Sequence, residues 1–205
     1  RNLWEKLKKC FFYTKSDSSE NARYVSTQKK VTIEYDNNTN NRFKGIISYL
    51  GKGKNVIDNK IINVKALDYN IGSIRNIVDF DSKESFGITG KENSSISYDF
   101  IDRKVMPSHY SIMSDNWNSS SSRFYRPQNW CIEASNDEKN WTTLDTRQNE
   151  KSLDSQSVSN TFEIKNKNNE FYRYIRIRQT GLNTGNDNDF RFSSLEYFGT
   201  ILEPK

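Results

Sequence analysis

The sequence predicts an all-β fold, an antiparallel sandwich or barrel. Three observations lead there. Short runs alternate strictly between apolar and polar residues, as in Tyr174–Gln179, where Ile175 and Ile177 face one way and Tyr174, Arg176 and Arg178 the other. Clusters of Asn, Asp, Gly and Ser separate the runs, which is turn chemistry. Hydrophobic residues are 33% of the 205, yet 13% are aromatic, and large rings bury much area per residue, enough to build a core.

Taken in order, residues 2–13 (NLWEKLKKCFFY) predict a helix, with Leu3, Trp4, Leu7, Cys10 and Phe11 at spacings of three and four. Residues 14–43 are polar and rich in Asn, Ser and Lys, and predict a flexible linker with one short strand at 31–35. With no initiator Met, 1–43 is expected to be the tail of an upstream region, and 44–201 the folded domain. The β-rich runs of that domain are 45–50, 60–67, 76–80, 95–101, 107–113, 129–135, 141–145, 160–164, 172–179 and 193–201. In 129–135, Trp130, Ile132 and Ala134 oppose Cys131, Glu133 and Ser135, which makes Trp130 a core ring. Residues 135–140 read as an Asx-type turn before Trp141. The segments between runs include three long loops, 66–73, 114–128 and 181–190, where exposed rings and arginines on a rigid scaffold serve binding.

Several classes are set aside. No window approaches the roughly 18 apolar residues of a membrane helix. Cys10 and Cys131 form neither a disulfide framework nor a metal set. The Asn-X-Ser/Thr matches, such as those at Asn93, Asn118 and Asn140, are expected by chance in so Asn- and Ser-rich a chain. Net charge is +5, which favours an acidic partner if it is more than a solvated surface. Nucleic acid is argued against by the lack of a helix-turn-helix, zinc or RNA-recognition signature. Catalysis is argued against as well: His109 sits in an alternating strand, Cys131 has no CxxC partner, and there is no Gly-x-Ser-x-Gly.

The order NIVDF (76–80), SISYDF (95–100), PSHYSI (107–112), NWCIEASNDEKNWTTL (129–144), TFEI (161–164), FYRYIRIRQTG (171–181) and SSLEYFGT (193–200) resembles the discoidin family, the coagulation-factor 5/8 type C module. The most specific element is W-x-I-E-x-S-N-D-x-x-x-W, Trp130 to Trp141, and the match covers about three quarters of the chain. The versions it resembles are those of intracellular multi-domain protist proteins. The resemblance implies a galactose-binding-like jelly-roll sandwich that binds without chemistry at its loop end. It places ligand contacts at Tyr69, Trp117, Arg123, Phe124, Tyr125, Arg126, Asn186, Asp187 and Phe190. It also implies a structural Ca2+ held by Asp79, Asp81 and Glu196, although members with a good site carry Gly where Phe80 stands.

Two functions follow from this. One is a protein-interaction or scaffold module within a larger assembly, on an acidic or cytoskeletal surface, in a cytoplasmic setting. The +5 charge and the absence of Cys at the domain ends favour it. The alternative is a carbohydrate (glycan)-binding domain, extracellular or at the cell surface, with a ring for the sugar face and Arg, Asn or Asp for its hydroxyls. Peripheral lipid contact through Trp117, Phe124 and Tyr125 above Arg123 and Arg126 is a further option.

Overall fold

A computed structural model describes residues 28–66, 70–82, 84–116 and 125–205. The expected helix at 2–13 lies outside them. Two main antiparallel sheets face each other. One has the order β1 (Gln28–Ile33), β12 (Ser194–Pro204), β6 (Lys104–Met113), β9 (Ser159–Glu163). The other has the order β2 (Asn63–Ala66), β5 (Ser95–Asp99), β10 (Tyr174–Gln179), β7 (Trp130–Ser135), β8 (Thr142–Arg147). A three-stranded flap, β11 (Phe190–Phe192), β4 (Phe86–Ile88), β3 (Asn70–Ile71), stands beside them. The strand at 31–35 extends N-terminally and pairs antiparallel with β12, so residues 28–33 belong to the folded body rather than to a linker.

Alternation decides most of these strands. Ile175 and Ile177 of β10 are fully buried, while Tyr174, Arg176 and Arg178 on the other face are half-buried. Trp130 lies in the core as its register predicts, edge-on to Phe162 at 5.4 Å, with Tyr110 stacked on Phe162 at 5.3 Å. Its indole N–H donates to Tyr110 Oη at 3.0 Å, and that hydroxyl donates to Asp145 Oδ2 at 2.7 Å, so the polar tips of the core rings are satisfied in series. Strand β12 is buried from Ser194 to Leu202 because it is central in its sheet and covered on both faces. At Gly199 its register against β6 shifts, with φ at +137°, and a Cβ there would lie 2.2 Å from the Met106 carbonyl oxygen.

Two runs predicted as strands are helical. Residues 46–51 form α1 (Ile46–Gly51). Ile46, Ile47 and Leu50 face the core at helical spacing, and the Glu196 carboxylate of β12 caps the first turn. Residues 74–78 form a 3-10 helix started by Ser73, whose hydroxyl accepts from the Arg75 amide, and they bury Ile77 and Val78. A short apolar run bounded by turn residues fits either element, and here tertiary packing decided.

Candidate functional site

The connections β4–β5, β6–β7, β8–β9 and β10–β11 gather at one end of the sandwich, the end where Ser194 pairs with Met113 and Gln179 with Trp130. Cross-ties hold them together. The Ser114 amide donates to the Val158 carbonyl, Glu150 to Gln128 and Thr180 to Asn129.

The β10–β11 connection is organised by Asn183, which is buried. Its Oδ1 accepts from the Gly185 and Asp187 amides at 2.8 and 3.1 Å, and its Nδ2 donates to the Asp189 carbonyl at 2.8 Å. Asn186, in the left-handed region at φ 59°, is thereby turned outward and exposed, with Asp187 half-buried beside it. Asp189 accepts from the Gly90 amide at 2.7 Å and forms an ion pair with Arg191. The Arg191 guanidinium stacks on Tyr125, 4.4 Å from the ring centre, and its stem lies on Gly87, where a Cβ would come within 2.3 Å of Arg191 Cγ.

Three expected site residues face inward instead. Phe190 is fully buried, edge-on to the equally buried Phe192 with ring centres 5.6 Å apart. Arg126 is buried with Asp115, Nε to Oδ1 at 3.7 Å, and also donates to the Asp154 carbonyl, so it anchors the loop rather than reaching a ligand. Burial raises the Asp115 pKa, against the pull of Arg126 and Arg191. Glu196 is the third. Its Oε1 accepts from Ile47 and Tyr197, its Oε2 from Gly45 and Ser48, at 2.8 to 3.1 Å. A carboxylate offers about four acceptor directions, so this one is saturated by amides and does not fit a calcium shell. Asp79 and Asp81 are therefore left without their third carboxylate, and among the described residues no group of three His, Cys, Asp or Glu could hold a metal.

Asp79 and Asp81 instead edge a groove of about 530 Å3 between α1 and the 3-10 helix, floored by Phe43 and Phe80 with ring centres 5.3 Å apart. Tyr69, Trp117, Arg123 and Phe124 lie outside the described residues. Of the loop-end set, Tyr125, Asn186 and Asp187 lie on two connections that are tied where the Thr184 amide donates to the Arg126 carbonyl. Sequence reasoning missed Arg191 and Asn183, the first because it follows the long loop within a short strand, the second because an orienting Asn leaves no pattern in sequence. His109 and Cys131 sit in different sheets, and burial lifts the Cys131 thiol to about 11, far from a nucleophile at neutral pH.

No protein-family model and no curated protein sequence matches the chain. Solved structures do match in fold. The CBM32 domain of AlyQ, in complex with 4,5-unsaturated mannuronic acid, is 17% identical, with a TM-score of 0.51 over 67% of this chain and 95% of that one. A truncated AlyQ with CBM32 and alginate lyase domains is 14% identical, TM-score 0.50, over 70% of this chain and 32% of that one. A CpGH89 CBM32 domain from Clostridium perfringens is 18% identical, TM-score 0.49, over 71% and 99%. CBM32 domains are discoidin-like, galactose-binding-like modules, so the all-β sandwich expected from the motifs is the fold observed.

Proposed function

We propose that the chain is a non-catalytic carbohydrate-binding module whose loop end, around Tyr125, Asn186, Asp187 and Arg191, meets the sugar. The observation that carries this is the fold shared with a CBM32 domain seen in complex with a sugar acid. The chemistry of the rim supports it. One aromatic ring and a few polar groups held in fixed positions suit saccharide hydroxyls and the apolar face of a pyranose. The β10–β11 loop is ordered before any ligand arrives, because Asn183 satisfies its backbone, which lowers the entropy cost of binding.

The test is a glycan array followed by calorimetry on the best saccharide, with the double variant Asn186→Ala/Asp187→Ala. Both side chains lie outside the core, so the variant should stay folded, losing about 1 kcal/mol for the bond from the Asp189 amide to Asp187 Oδ1, and bind at least tenfold more weakly. A folded protein that retains no saccharide on the array removes the reading. The +5 charge supports the other reading, a scaffold module on an acidic surface. Salt separates them, since such association weakens steeply with ionic strength while ring stacking does not.

A further inference from the structure

The outer face of the five-stranded sheet carries an arrangement that the loop-end reading does not use. Glu133 of β7 is buried and accepts from two arginines of β10. Arg178 engages it through Nε and Nη2 at 3.0 and 2.8 Å, and gives Nη1 to Asn93 Oδ1. Arg176 gives Glu133 its Nε alone, at 2.7 Å. Among the described residues its two terminal nitrogens have no hydrogen-bond partner, and they are not among the buried polar atoms. The guanidinium is nonetheless fixed, because its plane lies 4.0 Å above the Trp141 ring. Trp141 is fixed in turn by the 135–140 turn, in which Asp137 accepts from the Lys139 and Asn140 amides and Ser135 Oγ from the Asp137 and Glu138 amides.

Arg176 and Trp141 border a depression of about 370 Å3, with Ser95 and Ser97 also in its lining and Lys65, Lys139, Asp137 and Glu138 completing it. Around it four cations, Lys65, Lys139, Arg176 and Arg178, meet three carboxylates, Glu133, Asp137 and Glu138, so one positive charge is left over. Lys65 meets only the exposed Glu138, at 3.4 Å, and that pair is screened. A held guanidinium with two parallel donors fits a planar or tetrahedral oxyanion. The depression lies within the volume range that takes a small ligand, enough for one sugar ring but short for a peptide segment.

We propose that this depression is an oxyanion subsite that takes the carboxylate or sulfate ester of an acidic saccharide through the terminal nitrogens of Arg176. It rests on the saccharide reading above only for the ring that carries the anion, and it lies on a different surface from the loop end. The test is calorimetry at low salt on the whole chain with trigalacturonate, its methyl ester, inorganic sulfate and a hexaglutamate peptide. The Trp141 indole signal, identified by its loss in Trp141→Phe, is followed by NMR. Trigalacturonate should shift that signal, the neutral ester should leave it unmoved whatever it does at the loop end, and sulfate and hexaglutamate should bind there at least tenfold more weakly. Arg176→Lys keeps the charge but loses the fork, and should weaken the trigalacturonate titration of the Trp141 signal at least tenfold. An equal Trp141 shift with the ester, or no loss in Arg176→Lys, overturns the subsite. Sulfate or hexaglutamate binding as tightly as trigalacturonate overturns the saccharide assignment. Loss of the Trp141 titration in Asn186→Ala/Asp187→Ala instead returns the acidic sugar to the loop end.

Discussion

Among the described residues, Arg126 and Arg191 at the loop end and Arg176 and Arg178 on the outer face of the five-stranded sheet use their carboxylates in opposite ways. At the loop end Arg126 and Arg191 each take a carboxylate of their own, Asp115 and Asp189, and both are turned into the structure. On the sheet face Arg176 and Arg178 share Glu133, and the share leaves Arg176 with donors to spare. The loop arginines hold connections in place, while a strand arginine is held in place and left partly unused. An arginine's availability is thus set by the ratio of cations to carboxylates around it rather than by whether it sits in a loop or a strand.

The comparison breaks first at Arg126. Arg126→Met should cost about 3–5 kcal/mol, since it leaves Asp115 as a buried charge without its cation. Urea unfolding measures this. A loss below about 1 kcal/mol would mean that Arg126 is as dispensable as a surface pair, and the contrast with the sheet face would be gone.

A third buried carboxylate sharpens the point, because Glu196 takes four amides and no cation. Burial raises its pKa to about 7, against the pull of those amides. A carboxyl whose folded pKa lies above its unfolded value stabilises fully below the unfolded value, near 4.5, and loses that contribution as pH rises through 7. The loss is about 3 kcal/mol between pH 4.5 and 8. Glu196→Gln should lower the whole stability curve, since its NH2 aims a donor at backbone donors, and should remove the slope. A parent profile already flat over this range would show that the amides outweigh burial.

Glu196 also marks where sequence reading stopped. The sandwich was legible because period-two alternation is local: Ile175 against Arg176, and Trp130 against Cys131, can be read from neighbours alone. That residues 46–51 form a helix was not legible, because the carboxylate that caps it comes from β12, about 150 residues later. The same holds for the site. Asn186 and Asp187 were found as loop residues, but Arg126 and Phe190, equally loop-borne or loop-adjacent, were drawn inward by Asp115 and by the packing of β11. Loop position predicts exposure only until a buried partner is known, and partners are set by the fold.

The smallest expected effect tests the sheet face itself. Glu133 has a lowered pKa: burial raises it, and hydrogen bonds and charge from Arg178 and Arg176 outweigh that. Arg176→Met leaves Glu133 with the bidentate Arg178, so it should cost no more than about 1 kcal/mol, discounted for the partial exposure of the guanidinium. Arg178→Met leaves the Arg176 bond and should also be tolerated, at a somewhat higher cost. The double variant leaves a buried carboxylate with no cation, and should exceed the sum of the singles by about 1–3 kcal/mol in urea unfolding at pH 7. Additivity would mean that Glu133 depends on neither arginine, and Arg176 would then not be held for a ligand. Coupling would mean that the carboxylate needs one arginine and is given two, so that turning the second toward an outside anion costs the fold little.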